Sequence, residues 1–412
     1  MTNAAPAPNT RRTDLDWLRI AAFGLLILYH VGMFYVSWDW HVKSSRAGPA
    51  LEPLMLMTNP WRLTLLFLIA GCASRFMTDG SSAWRFLKSR IGRLLPPLAL
   101  AVFVIVPPQS YYEIVEGLRA DPSLPKTLLD GFYLKYITAS GNWCDANGCL
   151  TTPTYNHMWF VAYLLAYAIV LAALLPLMRR MPAGLFRPLA RVIEGPGLAL
   201  LPFAFLAAAR ILLYPAFGAT HDIRNDPYVH VISFGAFLFG YAIAKDETAF
   251  ARFERWRWAA LAIAIVSWAG FAIAAATIIG SSPEWMKVAA RAVREAEAWA
   301  AIVAALGFAS RHWRHADGPI RRTLTQAIFP FYLIHQTIIV VLGHHLDRLR
   351  LPLALEAGLL IAGTALGCWL FYDLTRRIPW LRVWVGLPRT SDPPRLSASH
   401  AQRRGTKPNV AR

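Results

Sequence analysis

Arg19 and His30 lie eleven positions apart in the apolar run DLDWLRIAAFGLLILYH, residues 14–30. At about 3.6 residues per turn and about 1.5 Å of rise per residue, that interval is roughly three turns and 16 Å, so both side chains fall on nearly one helix face. Asp16 stands three positions before Arg19 and shares the stripe. A guanidinium is always charged, and its fork matches phosphate oxygens. An imidazole, with an ordinary pKa of about 6.5, can take a proton from a hydroxyl or accept a transferred group. The stripe therefore suits a ligand with an anionic head and a reactive tail, with Asp16 orienting Arg19. The same spacing also fits an arginine that reaches to water and a histidine that hydrogen-bonds a neighbouring helix.

Two further histidines could share a polar passage with His30. His335 sits in FYLIHQTIIV, well inside an apolar stretch, and is either a second catalytic group or a packed, hydrogen-bonded side chain. His157 opens NHMWFVAYLLAY, two positions before Trp159, at the mouth of another apolar stretch; both are supporting candidates.

The surrounding composition defines the medium. The 412-residue chain is 56% hydrophobic and 16% charged, with mean hydropathy +0.38, which is too apolar for an ordinary soluble protein. About ten stretches reach the roughly 20 apolar residues that a membrane span needs, near 17–36, 54–76, 93–109, 156–178, 197–214, 228–245, 258–280, 288–309, 323–345 and 353–373. The expected fold is an all-α polytopic membrane protein. The first span lacks a cleavage-site pattern and is expected to stay in the mature chain. Residues 13–385 form one transmembrane domain, flanked by Pro-, Ser- and Arg-rich segments 1–12 and 386–412 that read as disordered tails.

Basic residues recur on alternate loops, at Arg75, Arg85, Lys88, Arg90 and Arg93, then Arg179, Arg180, Arg187 and Arg191, then Lys245, Arg252, Arg255 and Arg257, then Arg311, Arg314, Arg321 and Arg322. The opposite loops mix in Glu113, Glu116, Asp121, Asp130 and Asp145. Positive loops face the cytoplasm, which places both termini there. The formal charge of +18 is explained by lipid headgroups on that side, and no nucleic-acid-binding module is present.

Cys144 and Cys149 flank a turn-like sequence in a long loop on the opposite side, where they are either a disulfide or two free thiols. Cys72 and Cys368 read as packing residues. His221 and Asp226 have the His-x4-Asp spacing used by glycerolipid acyltransferases, and with Asp222 and His230 they offer a metal-ligand grouping; the spacing is common by chance and falls in an outer loop away from the basic face, and no metal is expected.

Taken together, the motifs resemble acyltransferase family 3, the integral membrane O-acyltransferases. An arginine, ten intervening residues and a histidine mark the family's first helix, as Arg19 and His30 do here, and an Arg-x-x-Arg pair is matched by Arg90 and Arg93 in RIGR. LFLIAGCASRF, with Gly71, is similar to the family's second helix, with Ala70 where a serine is common. WHVKSS and NHMWF resemble segments of the branch that succinylates periplasmic glucans. The resemblance implies transfer of a succinyl or acetyl group from cytoplasmic acyl-CoA, a co-substrate rather than a resident cofactor, to a glycan hydroxyl across a bacterial inner membrane. Arg19, Arg90 and Arg93 would hold the CoA phosphates, and His30 would be the base or the acyl carrier. The competing reading is a transporter or flippase for an anionic solute, with the stripe as its path and the histidines as proton relays. The acceptor and the oligomeric state are left open.

Overall fold

The computed structural model describes residues 12–121, 123–145, 148–182 and 195–389. Eleven long helices carry it: α1 (Thr13–Tyr35), α2 (Arg62–Thr78), α3 (Ala83–Leu100), α4 (Pro107–Ala120), α5 (Trp159–Arg180), α6 (Gly197–Leu212), α7 (Pro227–Ile243), α8 (Glu247–Thr277), α9 (Glu284–Trp313), α10 (Pro319–Arg348) and α11 (Leu353–Arg377). Most expected spans fall on one of these helices, but 54–76 begins ahead of α2, across the short helix Glu52–Leu56 and a turn, and 93–109 runs from α3 into α4. Among the described residues, six helical segments are long and apolar enough to cross a membrane by length and composition, and α6 and α7 are shorter apolar helices. Helices are the natural solution in lipid, because each satisfies its own backbone polar groups where no water can.

The third expected span, 93–109, is longer than its apolar pattern indicates. α3 and α4 form one segment, Ala83–Ala120, of 38 residues, joined through a π-helical turn at Ala101–Ile105. Such turns leave backbone carbonyls available to side chains. Here the Ile105 carbonyl accepts from the Thr337 hydroxyl of α10 at 2.6 Å.

Two expected boundaries shift. Arg12 belongs to the folded domain, with its guanidinium on Asp14 at 2.6 Å and over the Phe250 ring at 3.6 Å. At the other end, Leu387 is buried and its amide donates to the Arg382 carbonyl at 2.7 Å. Residues 1–11 and 390–412, like Arg187 and Arg191, lie outside the described residues.

α1 packs against α10, α9 and α2. Its start is pinned to the chain after α9: the Thr13 hydroxyl reaches the Trp313 and Arg314 carbonyls, and the Trp17 indole donates to the Ala316 carbonyl at 2.8 Å. α2 lies along α7, and glycines let the two backbones touch. A Cβ on Gly71 would stand 1.9 Å from the Phe237 carbonyl oxygen, and one on Gly240 would stand 2.0 Å from that of Leu68. Small residues at helix contacts allow this approach. On the loop face, where α1 ends, Trp143, Phe132, Tyr136 and Ile114 form a separate small core, and Cys144 is disulfide-bonded to Cys149 across a two-stranded hairpin.

Gly71→Ala is therefore expected to force α2 and α7 apart, at a cost of about 1–3 kcal/mol for overpacking. The check is the thermal unfolding midpoint in detergent, which should fall for Gly71→Ala and stay near wild type for Gly92→Ala, whose Cβ would meet nothing within 4 Å.

Candidate active site

The two ends of the α1 stripe lie in different environments. At its start, Arg19 and Arg93 are close enough to Arg90 to interact with it electrostatically, so the three guanidiniums form one cluster. Arg90 is buried and donates to the Ser74 hydroxyl at 2.6 Å, while that hydroxyl donates to the Ala70 carbonyl at 2.8 Å. Asp16 does less for Arg19 than its spacing implies. Its carboxylate stands 4.0 Å from Arg19 and 2.5 Å from the buried Arg321 of α10, so its stronger bond joins α1 to α10. Arg321 shares itself with Asp317, whose carboxyl is held well below the usual range by hydrogen bonds from Arg322 and Arg321.

Eleven residues deeper, the His30 and His335 rings stack at 5.0 Å and 14°. His30 Nδ1 and His335 Nε2 are 2.7 Å apart, and His335 Nδ1 lies 2.7 Å from the Tyr332 carbonyl oxygen. A carbonyl only accepts, so His335 Nδ1 carries a proton. In the neutral ring its Nε2 is then an acceptor, and His30 Nδ1 must donate to it. His30 is left with its lone pair on Nε2. His335 is fully buried and uses both nitrogens, so it stands behind His30 rather than beside it as a second reacting group.

The same logic runs through a neighbouring network. His157 Nε2 donates to the Leu333 carbonyl at 3.1 Å, so its Nδ1 accepts from the Gln109 amide at 3.3 Å. Gln109 also donates to the Thr337 hydroxyl at 2.7 Å and accepts from Asn156 and Gln336, both at 3.1 Å. Gln336 donates to His41 Nε2 at 3.0 Å, and His41 Nδ1 lies 2.6 Å from the Glu113 carboxylate. The His157 ring meets His335 edge-on at 5.1 Å, so His157 backs the pair from within the core.

His30 lines a cavity of about 650 Å³ that reaches the loop face, together with Trp159, Trp40, Arg62, Arg210 and Arg294. Trp159 stacks on His221 at 4.2 Å, and burial holds that imidazole below its ordinary range against the opposing pull of Asp226. Asp226 is itself fully buried and accepts from the Tyr163 hydroxyl at 2.8 Å and the His221 amide at 2.9 Å. The His-x4-Asp pair thus staples a loop, with no bond from carboxylate to imidazole ring. No group of three metal-type ligands occurs among the described residues. A second cavity, of about 490 Å³, shares Asp39 and Trp40 with the first and adds His41, Glu113, Glu116 and Trp143.

Sequence reasoning missed Gln109, Gln336, His41 and the arginines at 62, 210 and 294. The amides carry no spacing signal, and Arg62 and Arg210 lie at helix ends, where reaching to water is the ordinary explanation; Arg294 lies within α9, one of several charged residues in its first half.

A bundle of apolar helices around a cavity lined by charged and aromatic side chains defines a multi-pass membrane protein. The profile of the family Acyl_transf_3, described as an acyltransferase domain, matches residues 12–373, and the chain belongs to that family. It is similar to Glucans biosynthesis protein C of Escherichia coli strain K12, 27% identical over 160 residues, which are 39% of this chain and 37% of the relative. The same protein of Shigella dysenteriae serotype 1 is 26% identical over 161 residues, again 39% and 37% of the two chains. The match thus spans little more than a third of those relatives' length. No solved structure matches the chain.

Gln109→Leu is expected to leave several buried polar groups unpaired, each costing about 1–3 kcal/mol. Its unfolding midpoint in detergent should fall below that of wild type; an unchanged midpoint would show that the amide is dispensable.

Proposed function

We propose that this protein is a membrane O-acyltransferase that moves a succinyl or acetyl group from cytoplasmic acyl-CoA to a hydroxyl of a periplasmic glucan or another envelope glycan. In this reading both termini are cytoplasmic in a bacterial inner membrane, and the Arg19 end of α1 faces the cytoplasm. The observation that carries it is the His30–His335 pair, which leaves an unshared lone pair on a cavity-lining imidazole.

In the proposed reaction His30 Nε2 takes the proton of the acceptor hydroxyl as its oxygen attacks the thioester carbonyl. The tetrahedral intermediate expels the CoA thiolate, which receives the proton back from the imidazolium and leaves as free thiol. His335 is a positioning residue: it fixes the His30 tautomer and stabilises the Nδ1–H side of the ring. An acyl-imidazole relay through the same nitrogen is the alternative chemistry, and ping-pong kinetics would mark it.

The donor would be held by Arg19, Arg90 and Arg93, whose charges suit CoA phosphates. Phe23 and Leu26 lie between that cluster and His30 along α1 and are buried, so the pantetheine arm must displace or slip past them. For the acceptor, the adjoining cavity supplies what sugars bind, namely carboxylates for hydroxyl groups and the aromatic rings of Trp40 and Trp143 for C–H faces.

The test is release of free CoA thiol by purified protein with and without a glucan acceptor. His30→Ala is expected to lose about 10²–10⁴-fold in turnover while retaining CoA binding. His335→Gln keeps an acceptor oxygen for His30 Nδ1–H and should lose less than His335→Leu. Arg93→Ala should weaken CoA binding instead. Full turnover in His30→Ala would overturn the mechanism, and failure of folded wild type to bind CoA would favour transport of an anionic solute.

A further inference from the structure

Three guanidiniums line the cavity above His30, from α2, α6 and α9. Arg62 is 4% exposed and lies over the Tyr29 ring at 3.3 Å, and its Nε and Nη1 have no hydrogen-bond partner. Arg210 lies over the Tyr214 ring at 3.4 Å and donates to the Tyr228 hydroxyl at 3.1 Å, again with Nε unpartnered. Arg294 pairs with Glu295 and donates to Asn59 at 3.3 Å. The buried Glu297 is within electrostatic reach of Arg294, and Glu295 within that of Arg210, but among the described residues no carboxylate forms a salt bridge with Arg62 or Arg210.

Desolvating a cation without a counter-ion is unfavourable, and a tyrosine face offsets only part of that cost. Arg62 also lies within electrostatic reach of His30, so an anion held by it would stand beside the reacting imidazole. An anion that enters with the substrate would supply the missing ion-pair partner.

We propose that Arg62, Arg210 and Arg294 form an anion subsite that takes a carboxylate or phosphate borne by a molecule whose reacting atom sits at His30. The transferase reading bears only on which molecule brings that anion, either the acyl group through a distal carboxylate or the acceptor through its own substituent.

The experiment is calorimetric titration of the full chain in detergent with two anionic probes, methyl hydrogen succinate and glucose 6-phosphate. Their neutral counterparts are dimethyl succinate and glucose. At least one anionic probe is expected to bind about tenfold more tightly than its counterpart, and that preference should fall below about threefold in both Arg62→Met and Arg210→Met. Arg62→Lys, which keeps the charge, should retain part of it. Preference for the monoester assigns the anion to the acyl group, and preference for the sugar phosphate assigns it to the acceptor. If neither anionic probe outbinds its counterpart, or if the preference survives in whichever methionine variants fold, the subsite is overturned. Titration needs no thioester, so a protein that passes here yet releases no CoA thiol refutes the transferase reading and leaves the subsite standing.

Discussion

The carbonyl oxygen of Tyr332 can only accept a hydrogen bond, and the chemistry of the site depends on that restriction. It places the His335 proton on Nδ1, which makes His335 Nε2 an acceptor, which places the His30 proton on Nδ1, which leaves His30 Nε2 free. The Leu333 carbonyl sets His157 in the same way and, through it, the orientation of the Gln109 amide. Two adjacent carbonyls of one helix thus determine the protonation pattern across α1, α4, the turn that leads into α5, and α10. Low dielectric makes such a network strong when complete and costly when broken.

The helices must come close for these bonds to form, and the sequence permits it at particular points. Gly71 and Gly240 bring α2 and α7 into backbone contact. Three positions beyond Gly71, Ser74 holds Arg90 at the opposite end of the bundle from the cavity. The π turn at Ala101–Ile105 frees a carbonyl for Thr337, which in turn receives Gln109. Packing and polar satisfaction are therefore one problem here, because a shift of either helix pair would misplace donors that have no water to fall back on.

Charge is divided between two arginine clusters with apolar side chains between them. Arg19, Arg90 and Arg93 gather at the start of α1, and Arg62, Arg210 and Arg294 line the cavity near its end. Phe23, packed against Phe160 and Tyr332, and Leu26 fill the stripe between. That arrangement separates two anion-attracting surfaces and leaves His30 at the boundary, on the cavity side.

Composition and the spacing of apolar residues were enough to indicate a helical membrane protein, because lipid admits few backbone solutions and each helix declares itself over about 20 residues. The Arg19–His30 interval was equally legible, since helix geometry alone puts two residues eleven apart on one face. Contacts between helices were not. Nothing local to Asp16 indicates that Arg321, some three hundred residues on, takes its stronger bond, and nothing near His335 shows that both its nitrogens are occupied. Arg62 and Arg210 look like ordinary helix-end arginines, and Arg294 like one more charge in the first half of α9, until the bundle closes around them. The sequence by itself determined the medium, the helices and the stripe, because those follow from short-range periodicity and solvent. Only the tertiary structure decided which imidazole keeps a lone pair and which cavity arginines have a salt-bridge partner, because both are settled by partners brought together from distant helices.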